Sequence, residues 1–316
     1  MSRTLREQRF TYRVLSSLAL LTLTAGALTA CGDHDSASGH PASSSVTSSA
    51  SAGNGRAAAA KLHMVDNGGH RLAFHVTRGN GSTIVLDSGG GESSSQWKDI
   101  VPKLHAATGA TVITYDRAGL GKSDVVPGPW KVASAVGDLK AGLRQLGVTH
   151  DVTLVSHSQA GEIANHLAED DPAMLSGAVL VDANLPQFFT DEEIPRLVAA
   201  TRQEVDEAKK DPGKPENRQL IATAEGFAAA HRAFHRVTWP DSVPVTVMVS
   251  EKTPFDGSPE DAQRWRDAAA SFAREAPNRT LVTARGTSHE VPTERPDLVL
   301  KAIEAMFAAQ HPQDAT

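Results

Sequence analysis

The chain has 316 residues, 40% of them apolar, and carries a net charge of −6 with acidic and basic residues mixed along it. That length can bury a large core, and no basic stripe is present that would neutralise phosphates, which argues against nucleic acid as a partner. Aromatic residues make up only 5% of the chain, so cavities are expected to be lined mostly by aliphatic groups, and one cysteine excludes an intrachain disulfide.

That cysteine, Cys31, ends a distinctive start. Arg3, Arg6, Arg9 and Arg13 precede an apolar stretch from Val14 to Leu28, followed by Thr29, Ala30 and Cys31. The stretch is short for a membrane span and fits an export signal. "LTAC" resembles the lipobox of bacterial lipoproteins, in which the cysteine is lipidated and becomes the mature N-terminus. Residues 1–31 are therefore expected to be a signal, leaving a lipid anchor as the only link to the membrane of an extracytoplasmic protein. Residues 32–60 are Ser, Ala and Gly-rich without apolar period, the composition of a flexible tether.

From about Lys61 onward, strand-like and helix-like stretches alternate. "LHMV" and "RLAFHV" flank "DNGG", a hairpin signal. "TIVLD" is a β-branched run ending in "SGGG". Residues 96–108 show helical spacing through Trp97, Ile100, Val101 and Leu104. "TVITYD" is the next strand, followed by the loop "RAGLGKSD" and a helix over 131–146. "DVTLVS" reads as a buried strand, Gln159–Glu169 as a helix, and "GAVLVD" as another strand. Near-continuous apolar runs between amphipathic helices predict an α/β fold with a mostly parallel sheet covered on both faces. Residues 184–243 break the alternation with charged helical sequence, a cap inserted between two late strands. "VPVTVMVS", a helix around 259–275, "TLVTA" and a last helix from Pro296 restore it, completing one domain over 61–316.

The chemistry centres on "LVSHSQAG" at 154–161. A serine on a tight strand-to-helix turn is lifted clear of the sheet, provided the residues two before and two after it are small. Ser158 meets this condition with Ser156 and Ala160, so Ser158 is the candidate nucleophile and Ser156 a small structural neighbour. "LDSGGGESSSQW" at 86–97 lets backbone amides approach a developing oxyanion, with Gly90 and Gln159 as the donors. A phosphate cradle would need Lys and Ser or Thr after its last glycine, and "GGGESS" has none. His289, after the last strand, is the candidate general base.

Residues 62–312 resemble the α/β-hydrolase superfamily, whose triad members come in the order Ser, acid, His. "YDRAGLGKSD" is similar to the family's D-R-x-G-x-G-x-S loop, which is mainly structural. "SHEVPTERPDLV" is similar to its G-H-x-x-x-x-E-x-P ending, with Ser288 in place of glycine. The resemblance implies a serine hydrolase acting through an acyl-enzyme on an ester or related acyl bond of a small molecule, with no cofactor or metal. It implies an acid after "VPVTVMVS", where a familiar form is "GEKDP"; here "SEKTP" puts Thr253 at that place. Three carboxylates remain: Asp182, 24 residues after Ser158 as in some members of the superfamily, and Asp256 and Glu251 beside the gap. Asp182 is the leading choice.

Related chemistries sort by the nucleophile. Haloalkane dehalogenases and epoxide hydrolases of this superfamily attack with an aspartate, whereas the turn here carries serine. A perhydrolase, a carbon–carbon bond hydrolase or an acyltransferase shares the triad and stays open, as does a non-catalytic lipoprotein that binds a small ligand. His231 and His235 are spaced four apart on a cap helix without a third metal ligand, and read as solvated or pocket-lining. Glu162 and Asp170 read as surface charges.

Overall fold

The computed structural model describes residues 59–255 and 257–312, apart from the side chains of residues 215 and 216. The expected signal, Cys31, nearly all of the expected tether and Asp256 lie outside the described residues.

Two strands, β1 (Lys61–Asn67) and β2 (His70–Thr77), form the antiparallel hairpin around "DNGG". β3 (Thr83–Asp87) and the parallel β4 (Thr111–Asp116) are joined by α1 (Val101–Thr108). The predicted helix over 96–108 is divided: a 3-10 turn covers Ser94–Trp97, and α1 begins only at Val101 with Pro102 in its first turn. Proline is tolerated there because the first-turn amides have no intrahelical partner.

Next come α2 (Val132–Gln145), β5 (Val152–His157), α3 (Ala160–Asp170) and β6 (Leu175–Val181). Three helices, α4 (Glu193–Ala208), α5 (Pro215–Ala224) and α6 (Phe227–Phe234), follow before the sheet resumes. β7 (Val245–Ser250), α7 (Pro259–Arg274), β8 (Arg279–Ala284), the short α8 (Val291–Glu294) and α9 (Pro296–Gln310) complete the described chain.

The described strands form one sheet in the order β1-β2-β4-β3-β5-β6-β7-β8. Only β2 runs against its neighbours; every other pairing is parallel. This is the α/β-hydrolase fold, and the sheet is mostly parallel with helices on both faces, as the alternating sequence implied. Fully buried runs such as "VTLVSH" explain why: both faces of β5 are covered, so period-two alternation disappears. Under one face, Leu104, Ile303 and Phe307 of α1 and α9 pack with Ile84, Val112 and Val179. Over the other, Leu139, Ile163 and Phe272 of α2, α3 and α7 pack with Val85, Leu154 and Val247 in a core that continues into α4–α6. Among the described residues no helix is long and apolar enough to cross a membrane.

This topology fixes where a site can form. β3, β5, β6, β7 and β8 all run the same way, so the loops after Asp87, His157, Val181, Ser250 and Ala284 open at one edge of the sheet. In open α/β sheets, ligands bind at that carboxyl edge.

Candidate active site

Ser158 sits between β5 and α3 with φ 55, in the left-handed region that L-residues seldom occupy. The surrounding bonds hold it there. Ser158 N donates to Val181 O at 3.2 Å, while Gly161 N and Asn184 N donate to Ser158 O at 2.9 and 2.8 Å. Crowding is severe: a Cβ on Gly161 would stand 2.4 Å from Asn184 O, which accounts for a glycine three places after the serine. Ser156, two residues earlier in β5, is fully buried, consistent with its reading as a small neighbour.

His289 arrives from the loop after β8. Its Nε2 is 2.8 Å from Ser158 Oγ and its Nδ1 is 2.7 Å from Asp182 Oδ2. Of the two carboxylates among the described residues that the sequence left open, Asp182 is the one beside the imidazole. Glu251 is exposed and accepts from Gly286 N at 2.6 Å, a loop contact away from His289.

Asp182 is 1% exposed, and four donors surround it. Ser250 N and Trp265 Nε1 each donate to Oδ1 at 2.9 Å, Ser250 Oγ donates to Oδ2 at 2.6 Å, and His289 supplies the fourth. Burial pushes the carboxyl pKa up, but these bonds and the nearby imidazole outweigh it and hold the carboxyl below its ordinary value. An ionised carboxylate only accepts, so His289 Nδ1 carries a proton, and Nε2 is left to accept the Ser158 hydroxyl. Ser250 and Trp265 carry no motif of their own and escaped the sequence reading. Thr253, at the place of the acid in "GEKDP"-type chains, instead turns the loop: its N donates to Ser250 Oγ and its Oγ1 accepts from Phe255 N.

The glycine loop is held from both sides. Arg117 Nη1 pairs with Asp87 Oδ1 at 2.6 Å and donates to Ser88 O, while its Nη2 donates to Gly89 O. Tyr115 Oη donates to the other Asp87 oxygen at 2.8 Å, completing a buried cluster inside the "YDRAGLGKSD" region. In a trans peptide, N–H and C=O point in opposite directions, so fixing Gly89 O on Arg117 turns the Gly90 N–H the other way. Gly90 lines the pocket with Ser158 and Gln159. Among the described residues neither Gly90 N nor Gln159 N donates to another backbone oxygen. Gln159 is the N-cap of α3, where free amides and the helix dipole favour negative charge.

A second histidine belongs to the assembly. His157 is 1% exposed, and burial, then the neighbouring His289, lower its pKa to about 3. As a neutral ring it donates from Nε2 to His289 O at 3.0 Å and accepts at Nδ1 from Gln96 Nε2, also at 3.0 Å. Gln96 Oε1 in turn accepts from Gly89 N at 3.0 Å.

The pocket corrects two expectations. Its walls are aromatic, not aliphatic: Phe188, Phe189, Phe227 and Trp265 line a narrow cavity of about 40 Å³. The few aromatics are concentrated where the cap meets the core, which composition cannot reveal. Glu162 is not a surface charge but 2% exposed, because the cap covers the first turns of α3. It accepts from Asn184 Nδ2 at 2.7 Å and faces His231 Nε2 at 3.1 Å. His231 is 3% exposed and lines the pocket, and its Nδ1 donates to Phe227 O at 2.9 Å. Burial lowers the His231 pKa, but the Glu162 carboxylate more than offsets it, and the ring ends above its ordinary value. His235 instead bonds Pro186 O at 2.8 Å. Among the described residues no three His, Cys, Asp or Glu side chains cluster as metal ligands. Asp170 is a surface charge, paired with Lys140.

The chain resembles known proteins along most of its described length. The YqjL protein of Bacillus subtilis is 25% identical over 261 residues, 81% of this chain and 94% of that one. A thermophilic esterase from Thermogutta terrifontis superposes with a TM-score of 0.54 at 23% identity, covering 79% of this chain and 99% of the other. The haloalkane dehalogenase DatA from Agrobacterium tumefaciens gives 0.59 at 17% identity, over 80% and 97%. The profile of the alpha/beta hydrolase family matches residues 84–302, and the chain belongs to that family.

Proposed function

We propose that this protein is a serine hydrolase that cleaves an ester or related acyl bond of a small molecule. The observation that carries the reading is the continuous relay from Ser158 Oγ through His289 to Asp182, at 2.8 and 2.7 Å. In the proposed reaction, Ser158 Oγ attacks the substrate carbonyl as His289 Nε2 takes its proton. The amides of Gly90 and Gln159 stabilise the tetrahedral oxyanion, the position where preorganised donors contribute most. Asp182 keeps the ring in the Nδ1–H tautomer and stabilises the imidazolium without taking the proton. His289 then protonates the departing alkoxide, leaving an acyl-Ser158 ester. A water deprotonated by the same histidine attacks that ester, and collapse releases the acid and restores the serine.

The test is covalent. A fluorophosphonate probe is expected to label Ser158 in the folded protein, and Ser158→Ala and His289→Ala proteins are expected to lose both labelling and ester turnover. A folded wild-type protein that neither labels nor turns over short esters would refute the proposal. The same proposal places the enzyme outside the cytoplasm, anchored through lipid on Cys31. Radiolabelled palmitate should enter the full-length chain in cells and be absent from Cys31→Ala.

A further inference from the structure

Three polar groups in the pocket have no part in the chemistry proposed above. Thr223 Oγ1 on α5 and Gln159 Oε1 are buried without a hydrogen-bond partner among the described residues. Glu162 uses Oε1 for both Asn184 and His231, and its Oε2 accepts nothing from a described residue. All three residues line the same cavity as Ser158, a narrow one of about 40 Å³. A buried donor or acceptor left unmade destabilises the protein, so such atoms point to a missing partner.

The chemistry of that partner can be read from what is present. Gln159 Oε1 and Glu162 Oε2 accept, and the Thr223 hydroxyl can accept or donate. Glu162 is already balanced by His231, whose Nδ1 proton is committed to Phe227 O and whose Nε2 faces the carboxylate. The pair adds no net charge when the ring is protonated. The other walls are Phe188, Phe189, Phe227 and Trp265, so a charged group would be desolvated here without a counter-ion. A neutral hydroxyl suits the wall better: it donates to an acceptor while taking a bond from Thr223.

The link to the nucleophile is short. Asn184 donates from its backbone to Ser158 O at 2.8 Å and from its side chain to Glu162 at 2.7 Å. One residue thus spans the serine and the carboxylate, and the hydroxyl must lie close to the scissile bond.

We propose that Glu162, Thr223 and Gln159 form a specificity subsite for a neutral hydroxyl on the acyl or alkoxy arm of a small ester. This rests on the serine-hydrolase reading of the same pocket. A site built to hydrogen-bond a hydroxyl rejects the analogue lacking it, because its own polar groups are then stranded.

The experiment uses the full chain carrying Ser158→Ala, which binds without turnover, and calorimetric titration. Methyl 2-hydroxybutyrate and methyl 3-hydroxybutyrate are compared with methyl butyrate, and 2-hydroxyethyl butyrate with propyl butyrate. At least one hydroxy ester should bind about tenfold more tightly than its alkyl counterpart. Adding Thr223→Val, which removes a hydroxyl without a partner among the described residues, should reduce that advantage to threefold or less. Equal affinities, or an advantage untouched by Thr223→Val, would overturn the subsite. Fluorophosphonate labelling of the wild type separates the two readings. Labelling without hydroxyl preference removes the subsite alone, whereas preference without labelling keeps the subsite and removes the hydrolase.

Discussion

His157 holds the main chain of His289: its ring Nε2 donates to the His289 carbonyl oxygen at 3.0 Å. The residue before the proposed nucleophile therefore grips the backbone of the proposed general base. Through Gln96 the same ring is tied to Gly89, next to the amide proposed to face the oxyanion. Gln96→Leu breaks both of its bonds at once and leaves a buried amide and a ring nitrogen without partners. We expect kcat for a short ester to fall about tenfold, the scale of a bond worth 1–3 kcal/mol, with little change in KM. An equal rise in KM with unchanged kcat would show that Gln96 serves binding instead of positioning.

Asp182→Asn keeps the shape but allows the amide to stabilise the wrong ring tautomer. kcat should fall by about four orders of magnitude. Glu251→Gln, altering an exposed loop contact, should leave kcat within about twofold, as expected of a surface site. Steady-state kinetics on a p-nitrophenyl ester distinguishes them, and a fully active Asp182→Asn would refute the assignment.

Asp116 anchors the "YDRAGLGKSD" loop. Burial raises its pKa, but bonds from His75, Lys122 N and Ser94 N prevail and hold it at about 2. A carboxyl with a depressed folded value stabilises above its unfolded pKa, and that contribution disappears as pH falls through the folded one. Asp116→Asn should thus cost about 1–2 kcal/mol at pH 7, allowing for solvent screening. The gap between variant and wild type should narrow from about pH 4 toward pH 2 in urea melts.

His231 behaves in the opposite sense. Its folded pKa is raised, so its pairing with Glu162 contributes fully below the unfolded value near 6.5 and weakens as pH rises through the folded one. His231→Asn should lower Tm more at pH 6 than at pH 9. A difference that grows with pH would reverse the assigned charge on the ring.

The central strands were legible because β3 to β7 are short apolar runs closed by Ser or Asp at or just after their ends, and burial on both faces wrote itself into "VTLVSH" and "GAVLVD". Ser158 and His289 were legible from local sequence and chain order. Asp182 was the leading choice by its spacing from Ser158, but Asp256 and Glu251 stayed open beside it, because choosing among three carboxylates requires knowing which strand end faces His289. Its partners Ser250 and Trp265 are distant in sequence from each other and from Ser158, and neither residue type advertises such a role. Glu162 was misread for a related reason. Most of α3 is buried, since the cap closes over the face that a two-layer protein would expose. A signal was present in "AGEIANHLA", where Glu162 is the one carboxylate among five apolar residues, a glycine and two uncharged polar side chains.

Ser158, Asp182 and Thr253 all hold positive φ, at 55, 41 and 59, and Thr253 is β-branched, the type least suited to it. Such backbones persist only where neighbours over-determine them. Resistance to heat and competence for the reaction are therefore set against each other at the same few positions. Selection for thermal endurance alone would favour relaxing these turns first, and a lineage that drifted that way would yield a sturdier protein with the same outline and an idle pocket.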